Sequence, residues 1–140
     1  MGFADAVKAC LGRYATFRGR ARRSEFWWFG LFVALGGIAA SVADMLLFGV
    51  EPEAPAVLSP LFSLAMLLPN LAVGVRRLHD TGRTGWWMLV ALVPLVGTIV
   101  LIWFWIQDSE PGTNDHGPSP KALPAPEPTA ASRVPSVGRD

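Results

Sequence analysis

Two arginine-rich segments hold most of the side chains that could do chemistry. The first runs from Arg18 to Glu25 and leads directly into aromatic residues, and the second runs from Arg76 to Arg83. A guanidinium group presents its N–H donors as a planar fork, which suits bidentate binding of phosphate or carboxylate. Each basic side chain beside an anionic membrane surface contributes about 1 kcal/mol. The two segments therefore predict contacts with anionic phospholipid or with a protein partner.

Carboxylates lie within the same two segments and can pair with the arginines at helical spacing. Glu25 is predicted to pair with Arg22, and Asp80 with Arg76. The structural alternatives are an ordinary positive-inside anchor for the first segment and a turn clamp for the second. The residues predicted to contact lipid or a partner are Arg18, Arg20, Arg22, Arg23, Arg76, Arg77, His79 and Arg83.

The sequence contains no recognisable catalytic constellation. The adjacent pair His79 and Asp80 lacks the further ligands that a metal site or an acid–base centre requires. The other histidine, His116, is predicted on the opposite side of a membrane. Neither a phosphate-binding glycine loop nor a nucleophile elbow is present. We therefore predict a protein that is not an enzyme and has no metal and no cofactor, and nucleic acid is not among its predicted partners.

Apolar stretches must position the arginine segments. Residues 86–106 contain no charged side chain, and as one helix they would reach about 31 Å, close to the hydrocarbon thickness of a bilayer. Residues 26–48 carry a single charge, Asp44, near the end of the run where its cost is reduced, and residues 57–75 form the remaining stretch. Three transmembrane helices are the simplest count. Pro60 and Pro69 leave a re-entrant second segment as the alternative.

Tryptophans flank these stretches, as is typical of interfacial anchors. The predicted anchors are Trp27, Trp28, Trp86, Trp87, Trp103 and Trp105. The composition agrees, because 51% of the residues are hydrophobic and only 16% are charged. The predicted fold class is all-α: an integral membrane helical bundle of three transmembrane helices, preceded by an amphipathic N-terminal helix.

Basic residues are unevenly distributed along the chain, and this predicts an orientation. Arginines precede the first span and fill the link 76–85, whereas the link 49–56 has two glutamates and no basic residue. The positive-inside bias then places the N-terminus and the link 76–85 in the cytoplasm. The predicted protein passes through its membrane several times. Three crossings would leave the C-terminal tail outside.

The two ends of the chain differ in character. Phe3, Val7, Cys10, Tyr14 and Phe17 recur on one face of a helix, which either lies on the membrane surface or packs against the bundle. Residues 107–140 hold seven of the twelve prolines and are predicted to be mostly disordered. The predicted organisation is therefore an N-terminal segment 1–25, a membrane domain 26–106 and a tail 107–140.

Three motifs carry a family resemblance. They read Tyr14-x-x-Phe17-x-Gly19-Arg20-x-x-Arg23-x-Glu25-Phe26-Trp27, then Arg76-Arg77-Leu78-His79-Asp80-Thr81-Gly82-Arg83-Thr84-Gly85-Trp86-Trp87, then Pro94-x-x-Gly97. The chain resembles the domain of unknown function 805 family of bacterial inner-membrane proteins, whose activity is not established. The resemblance extends over 111–120 and covers about residues 10 to 120. Thr84, Thr113 and His116 depart from the family's usual serine, acidic residue and aromatic residue, respectively.

The tail motif conflicts with three crossings, because that topology places it across the membrane from the arginines. If the second segment is re-entrant, the chain crosses twice and all three motifs share the cytoplasmic face.

The predicted function is that of a small membrane scaffold or regulator that contacts anionic phospholipid or a membrane protein partner. The alternative is a subunit of a transport assembly, for which Asp44 is the main polar residue. Gly36 with Ala40, and Gly37 with Ser41, would let helices approach closely within one chain or in a homo-oligomer.

Overall fold

The computed structural model describes residues 1–121, and every regular element in that part of the chain is a helix. Helix α1 spans Phe3–Gly12, α2 spans Arg23–Phe48 and α3 spans Leu58–Asp80. A 3₁₀ helix over Gly85–Leu92 and helix α4 over Val96–Ile106 follow. The all-helical prediction is confirmed for the described residues, whereas the single helix predicted over 86–106 is wrong.

Helix α1 packs against the start of α2. The ring of Phe3 meets that of Trp28 edge to face, with 5.9 Å between centroids, and Cys10 is fully buried. Phe3 and Leu11 stay more than a third exposed. The helix ends at Gly12, so Tyr14 and Phe17, which were predicted on its apolar face, lie beyond it. The helix therefore packs against its own bundle and still presents an apolar surface.

Helices α2 and α3 are both long and apolar enough to cross a membrane. At about 1.5 Å per residue they reach roughly 39 and 35 Å. They run antiparallel, because Asp44 near the end of α2 meets the start of α3, and Glu25 near the start of α2 meets Arg76 near the end of α3. Gly36 lies at their contact, where the ring of Phe62 occupies the space that a Cβ would take. Gly36 thus serves close packing within one chain.

Asp44 connects the end of α2 to the beginning of α3. Its Oδ1 accepts the N–H groups of Val57 at 3.1 Å and Leu58 at 2.8 Å, and its Oδ2 accepts the N–H of Ser59 at 2.8 Å. N–H groups at the start of a helix have no partner within that helix, and its positive end favours an anion. Asp44 is therefore a buried cap and not merely a tolerated charge.

We expect Asp44→Asn to lower the thermal midpoint of unfolding by several degrees. The amide has one acceptor oxygen instead of two and no charge to match the helix end. Circular dichroism during heating in detergent micelles measures the change. Glu51→Gln, at an exposed carboxylate of the same link, is the control and should leave the midpoint unchanged. Equal losses in both variants would contradict the capping role.

Pro69 lies inside α3 without breaking it. Proline has no N–H, so the carbonyl of Ala65, four residues earlier, loses its helical partner. The hydroxyl of Tyr14 donates a hydrogen bond to that carbonyl. Helix α3 continues without a break from Leu58 to Asp80, so it lacks the turn that a re-entrant segment would need.

Residues 85–106 form a hairpin in place of the predicted third transmembrane helix. The eight residues of the 3₁₀ arm rise about 2.0 Å each and the eleven of α4 about 1.5 Å each, so both arms are about 16 Å long. Each arm reaches about half of a hydrocarbon core of roughly 30 Å. Because the two arms are equally long, the hairpin ends at the same depth along the helical bundle at which it began.

The turn of this hairpin depends on three residues. Pro94 cannot donate a helical hydrogen bond, and Leu95 has φ 65°, which lets the N–H of Val96 bond to the carbonyl of Pro94 at 2.7 Å. Gly97 is so close to Val90 that a Cβ would overlap its backbone. Apolarity alone does not distinguish one long helix from two half-length arms, which is why the sequence predicted a crossing.

The tryptophans of the hairpin consequently lie at one end of it and not at two. The ring of Trp87 on the outgoing arm meets that of Phe104 on the returning arm, with 5.2 Å between centroids. Trp86 precedes this contact and Trp105 follows it. The prediction that these tryptophans mark opposite ends of a span is wrong.

Residues 107–121 follow a defined path, contrary to the predicted disorder. Asn114 and Gly117 exchange two backbone hydrogen bonds of 3.0 Å each, which closes a tight turn. Gly112 and Gly117 have φ of 70° and 122°, conformations that favour glycine. Residues 122–140, with the rest of the predicted disordered tail, lie outside the described residues.

Candidate functional site: a buried arginine cluster

Both arginine segments and the tail meet at the C-terminal end of α3. The residues Arg20, Glu25, Arg76, Arg77 and Asp80 are named here the arginine cluster. None of them is more than 6% exposed. Because the cluster has three cations and two carboxylates, one positive charge is left to interact with helix-end carbonyls.

Arg76 and Glu25 form the part of the cluster that joins α2 to α3. Nη1 of Arg76 lies 2.7 Å from Oε1 of Glu25. The thiol of Cys10 donates to the same oxygen at 3.6 Å, which adds α1. The predicted pairs of Glu25 with Arg22 and of Asp80 with Arg76 are therefore wrong. Glu25 pairs with Arg76 on the neighbouring helix α3. Asp80 pairs with Arg20 and with Arg77, which is one position nearer to it on α3 than Arg76.

Asp80 is the second carboxylate of the cluster, and both of its oxygens are occupied. Nε of Arg20 donates to Oδ1 at 3.0 Å, and Nη1 of Arg77 donates to Oδ2. The hydroxyl of Ser109 in the tail also donates to Oδ2. Asp80 thus connects the N-terminal segment, α3 and the tail.

Arg20 uses its whole guanidinium fork. Besides the carboxylate of Asp80, it donates to the backbone carbonyl of Asp80 at 3.1 Å and to that of Glu110. It also reaches the carbonyls of Gly112 at 2.7 Å and Gly117 at 3.3 Å. One buried arginine therefore binds both the end of α3 and the turn of the tail.

The end of α4 is capped by arginines. Arg77 donates to the carbonyls of Trp105, at 3.2 Å, and Gln107, and Arg23 donates to the carbonyl of Ile106 at 3.3 Å. The last carbonyls of a helix lack partners within it, and its negative end favours cations. An unsatisfied carbonyl in lipid costs several kcal/mol. These arginines therefore close the returning arm of the hairpin.

Arg83 holds the open end of the hairpin together from the side of the outgoing arm. This open end, between Arg83 and Gln107, is named here the hairpin mouth. Nη1 of Arg83 donates to Oε1 of Gln107 at 2.9 Å, and its guanidinium carbon lies 4.0 Å from the ring centroid of Phe104. A cation over an aromatic face is attracted by the ring. Arg77 and Arg83 thus hold the two ends of the hairpin together, as expected from the structural alternative of a turn clamp for this segment.

His79 and His116 lie together, although the sequence predicted them on opposite sides of a membrane. Their rings stack with 3.9 Å between centroids and 2° between planes. Nδ1 of His79 is 3.0 Å from the carbonyl oxygen of Gly19, and Asn114 donates to the carbonyl of His79 at 2.9 Å. Within residues 1–121, no three His, Cys, Asp or Glu side chains are arranged to hold a metal ion.

Cys10 is expected to react slowly with thiol reagents in the folded protein. Burial, followed by the neighbouring Glu25 carboxylate, raises the pKa of the Cys10 thiol from 9.0 to about 12. The reactive thiolate is thus about a thousandfold rarer than in the unfolded chain at pH 8. Maleimide labelling before and after unfolding in SDS measures the difference. Equal rates in the two states would contradict this environment.

Comparison with known proteins identifies a family that matches most of this chain. Residues 14–118 match the family model described as Protein of unknown function (DUF805). The chain belongs to the DUF805 family. The predicted resemblance is confirmed, and the matched DUF805 region contains the whole arginine cluster and the turn of the tail.

Named relatives of this DUF805 chain occur in Escherichia coli (strain K12). Inner membrane protein YhaI is 43% identical over 111 residues, covering 79% of this chain and 91% of that protein. Inner membrane protein YhaH is 39% identical over 114 residues, covering 81% and 94%. Uncharacterized protein YiiR is 38% identical over 98 residues, covering 64% and 62%. No solved structure matches this chain.

The other predicted contact residues of the DUF805 region lie nearer the surface. Arg18 and Arg23 are exposed, and Arg22 and Arg83 are half-buried. Among the predicted anchors, Trp27 and Trp28 are 44% and 39% exposed. Trp86, Trp87 and Trp103 are exposed as well, whereas Trp105 is half-buried. The structure thus separates surface arginines from the buried cluster.

Several residues of the site were not predicted from the sequence. Ser109 contacts Asp80 of the cluster, Gln107 contacts Arg83, and Asn114 contacts the carbonyl of His79. All three lie in a segment that was expected to be mostly disordered. The paired glycines of the tail, Gly112 and Gly117, were the available signal, because glycines at defined positions indicate turns. His116 stands where the family usually has an aromatic residue. Its imidazole ring still makes a ring contact, because it stacks on the ring of His79.

Proposed function

We propose that this DUF805 protein crosses the bacterial inner membrane twice, with its N-terminus and residues 107–121 in the cytoplasm. The relatives named inner membrane proteins and the two long apolar helices support this topology. The hairpin returns to the end at which it starts, which carries the arginines. The opposite link contains Glu51 and Glu53 and no basic residue, so the positive-inside bias favours the same orientation.

At the cytoplasmic surface, the protein acts as a scaffold or regulator without enzymatic activity that holds anionic phospholipid. The observation that carries this proposal is that Arg18 and Arg23 are exposed and Arg22 is half-buried, in the segment that leads into the exposed Trp27 and Trp28 at the start of α2. Cations next to interfacial tryptophans lie at the depth of phospholipid headgroups. The buried arginine cluster joins the helices that present these surface arginines, and its own arginines already bind internal partners.

The transport alternative depended on Asp44 as its main polar residue. That carboxylate binds the N–H groups at the start of α3. Transport therefore has no separate supporting observation among residues 1–121, and we do not propose it.

Reporter fusions test the topology. Green fluorescent protein fused after Pro120 is expected to fluoresce, and alkaline phosphatase fused there is expected to be inactive. Phosphatase inserted between Glu51 and Glu53 should be active. Active phosphatase after Pro120 would contradict two crossings.

Lipid analysis tests the surface arginines. We expect the triple variant Arg18→Gln, Arg22→Gln and Arg23→Gln to retain at least about tenfold less phosphatidylglycerol after mild detergent release, because each cation contributes about 1 kcal/mol at an anionic surface. The control is Lys121→Gln, whose ammonium already pairs with Asp108. Unchanged lipid retention would refute the proposal, and loss of a co-released protein instead would favour a protein partner.

A further inference from the structure

An apolar groove opens between α2 and α4 below the hairpin mouth. Its volume is about 450 Å³, within the range of small-molecule sites. Its walls and floor include Trp27, Gly30, Leu31 and Ala34 on α2, and Ile102 and Trp105 on α4. Every one of these side chains is apolar or aromatic, so the groove suits a hydrocarbon chain.

The groove exists because α2 and α4 converge only at the polar end. There the rings of Phe26 and Trp105 lie 4.7 Å apart between centroids. Farther along α2, Gly30 and Ala34 are too small to fill the space between the helices. No described atom lies within 4 Å of a Cβ built on Gly30. The groove therefore has room for a flexible hydrocarbon chain.

The mouth of the groove is positively charged. Arg23 is exposed one helical turn from Trp27 and bonds to the carbonyl of Ile106 on the opposite wall. Nε of the adjacent Arg22 is buried without a partner among residues 1–121. Asp108, which acts electrostatically on Arg23, is paired with Lys121. The mouth therefore favours an anionic group.

We propose that the groove binds one acyl chain of an anionic phospholipid whose phosphate lies on Arg23. From Arg23 to Ala34 the helix rises about 16 Å, the depth of roughly one leaflet. The cationic mouth and the apolar walls thus match the headgroup and the chain of one molecule. This inference rests on the proposed lipid contact and adds a defined binding site to it.

A pair of alanine variants tests the groove. Ala34 and Ala39 are both exposed on α2, but Ala34 lines the groove and Ala39 lies outside it. Native mass spectrometry of the full chain with added phosphatidylglycerol should show one retained lipid in the wild type and in Ala39→Phe. We expect about tenfold less in Ala34→Phe. Gly30→Leu replaces Ala34→Phe if circular dichroism shows that the latter does not fold.

Two further probes identify what is recognised. Phosphatidylcholine with the same acyl chains should bind less than phosphatidylglycerol in the wild type, and Arg23→Gln should remove the difference. Inorganic phosphate alone should be retained far less than the lipid. Retention of phosphate as strong as that of phosphatidylglycerol would overturn the role of the acyl chain.

Other outcomes separate this inference from the proposed function. Equal retention by Ala34→Phe and Ala39→Phe would overturn the groove, and the proposed function would stand if the triple arginine variant still lost the lipid. Unchanged retention in every variant would overturn both. A wild-type dimer that Ala34→Phe abolishes would overturn the lipid and assign the groove to a second copy of the chain.

Discussion

Asp80→Asn is expected to lower the free energy of unfolding by about 3–5 kcal/mol. The Asp80 carboxylate is fully buried and accepts hydrogen bonds from Arg20 and Arg77. The amide removes the negative charge and leaves two buried guanidinium groups without a counterion. Titration with SDS in mixed micelles, followed by circular dichroism, measures the loss.

The matched control is Asp108→Asn, the same change at an exposed carboxylate that pairs with Lys121. Surface ion pairs contribute little, so the control should unfold like the wild type. Asp80→Asn should also loosen the tail, because Arg20 and Ser109 lose their shared partner. Faster proteolysis within residues 107–121 would report this release. Identical unfolding of both variants would contradict the central role of Asp80.

Arg76→Gln is expected to produce the second large loss, again about 3–5 kcal/mol. Glu25 would remain buried with the thiol of Cys10 as its nearby donor. The same titration measures the effect.

A double variant separates the ion pair from simple packing. Replacing both partners, Arg76→Met with Glu25→Leu, should restore much of the stability lost in Arg76→Gln, since apolar residues can substitute for a buried pair but not for one partner alone. Arg83→Gln, at a half-buried arginine outside the cluster, serves as the control and should cost less. A double variant no more stable than Arg76→Gln would contradict direct coupling of the pair.

The ion pairs of the site show which contacts helical spacing in the sequence can predict. Helical spacing correctly selected Glu25 and Asp80 as the carboxylates that pair with arginines. It assigned the wrong partners, because spacing alone neither chooses between Arg76 and Arg77 on the same helix nor finds a partner on another element. Glu25 pairs with Arg76, which is 51 positions away along the chain, and only the packing of α2 against α3 brings the two together.

The hairpin shows a second limit. Hydropathy sums the apolarity of a stretch, and residues 86–106 are apolar throughout. Chain direction depends instead on a few backbone positions, here Pro94, Leu95 and Gly97. The sequence contained the proline and the glycine as a motif, but their effect depends on whether the two arms can pack against each other.

The sequence by itself determined the helical class, the two long apolar helices, the arginine segments and the DUF805 family. These properties follow from residue composition, local periodicity and short motifs, which do not depend on distant contacts. The tertiary structure alone decided that the third apolar stretch turns back, that the tail joins the arginines, and that three of those arginines are buried. Each of these outcomes depends on hydrogen bonds and charge pairs between segments far apart in the chain, where burial makes an unpaired group costly and so selects the partners.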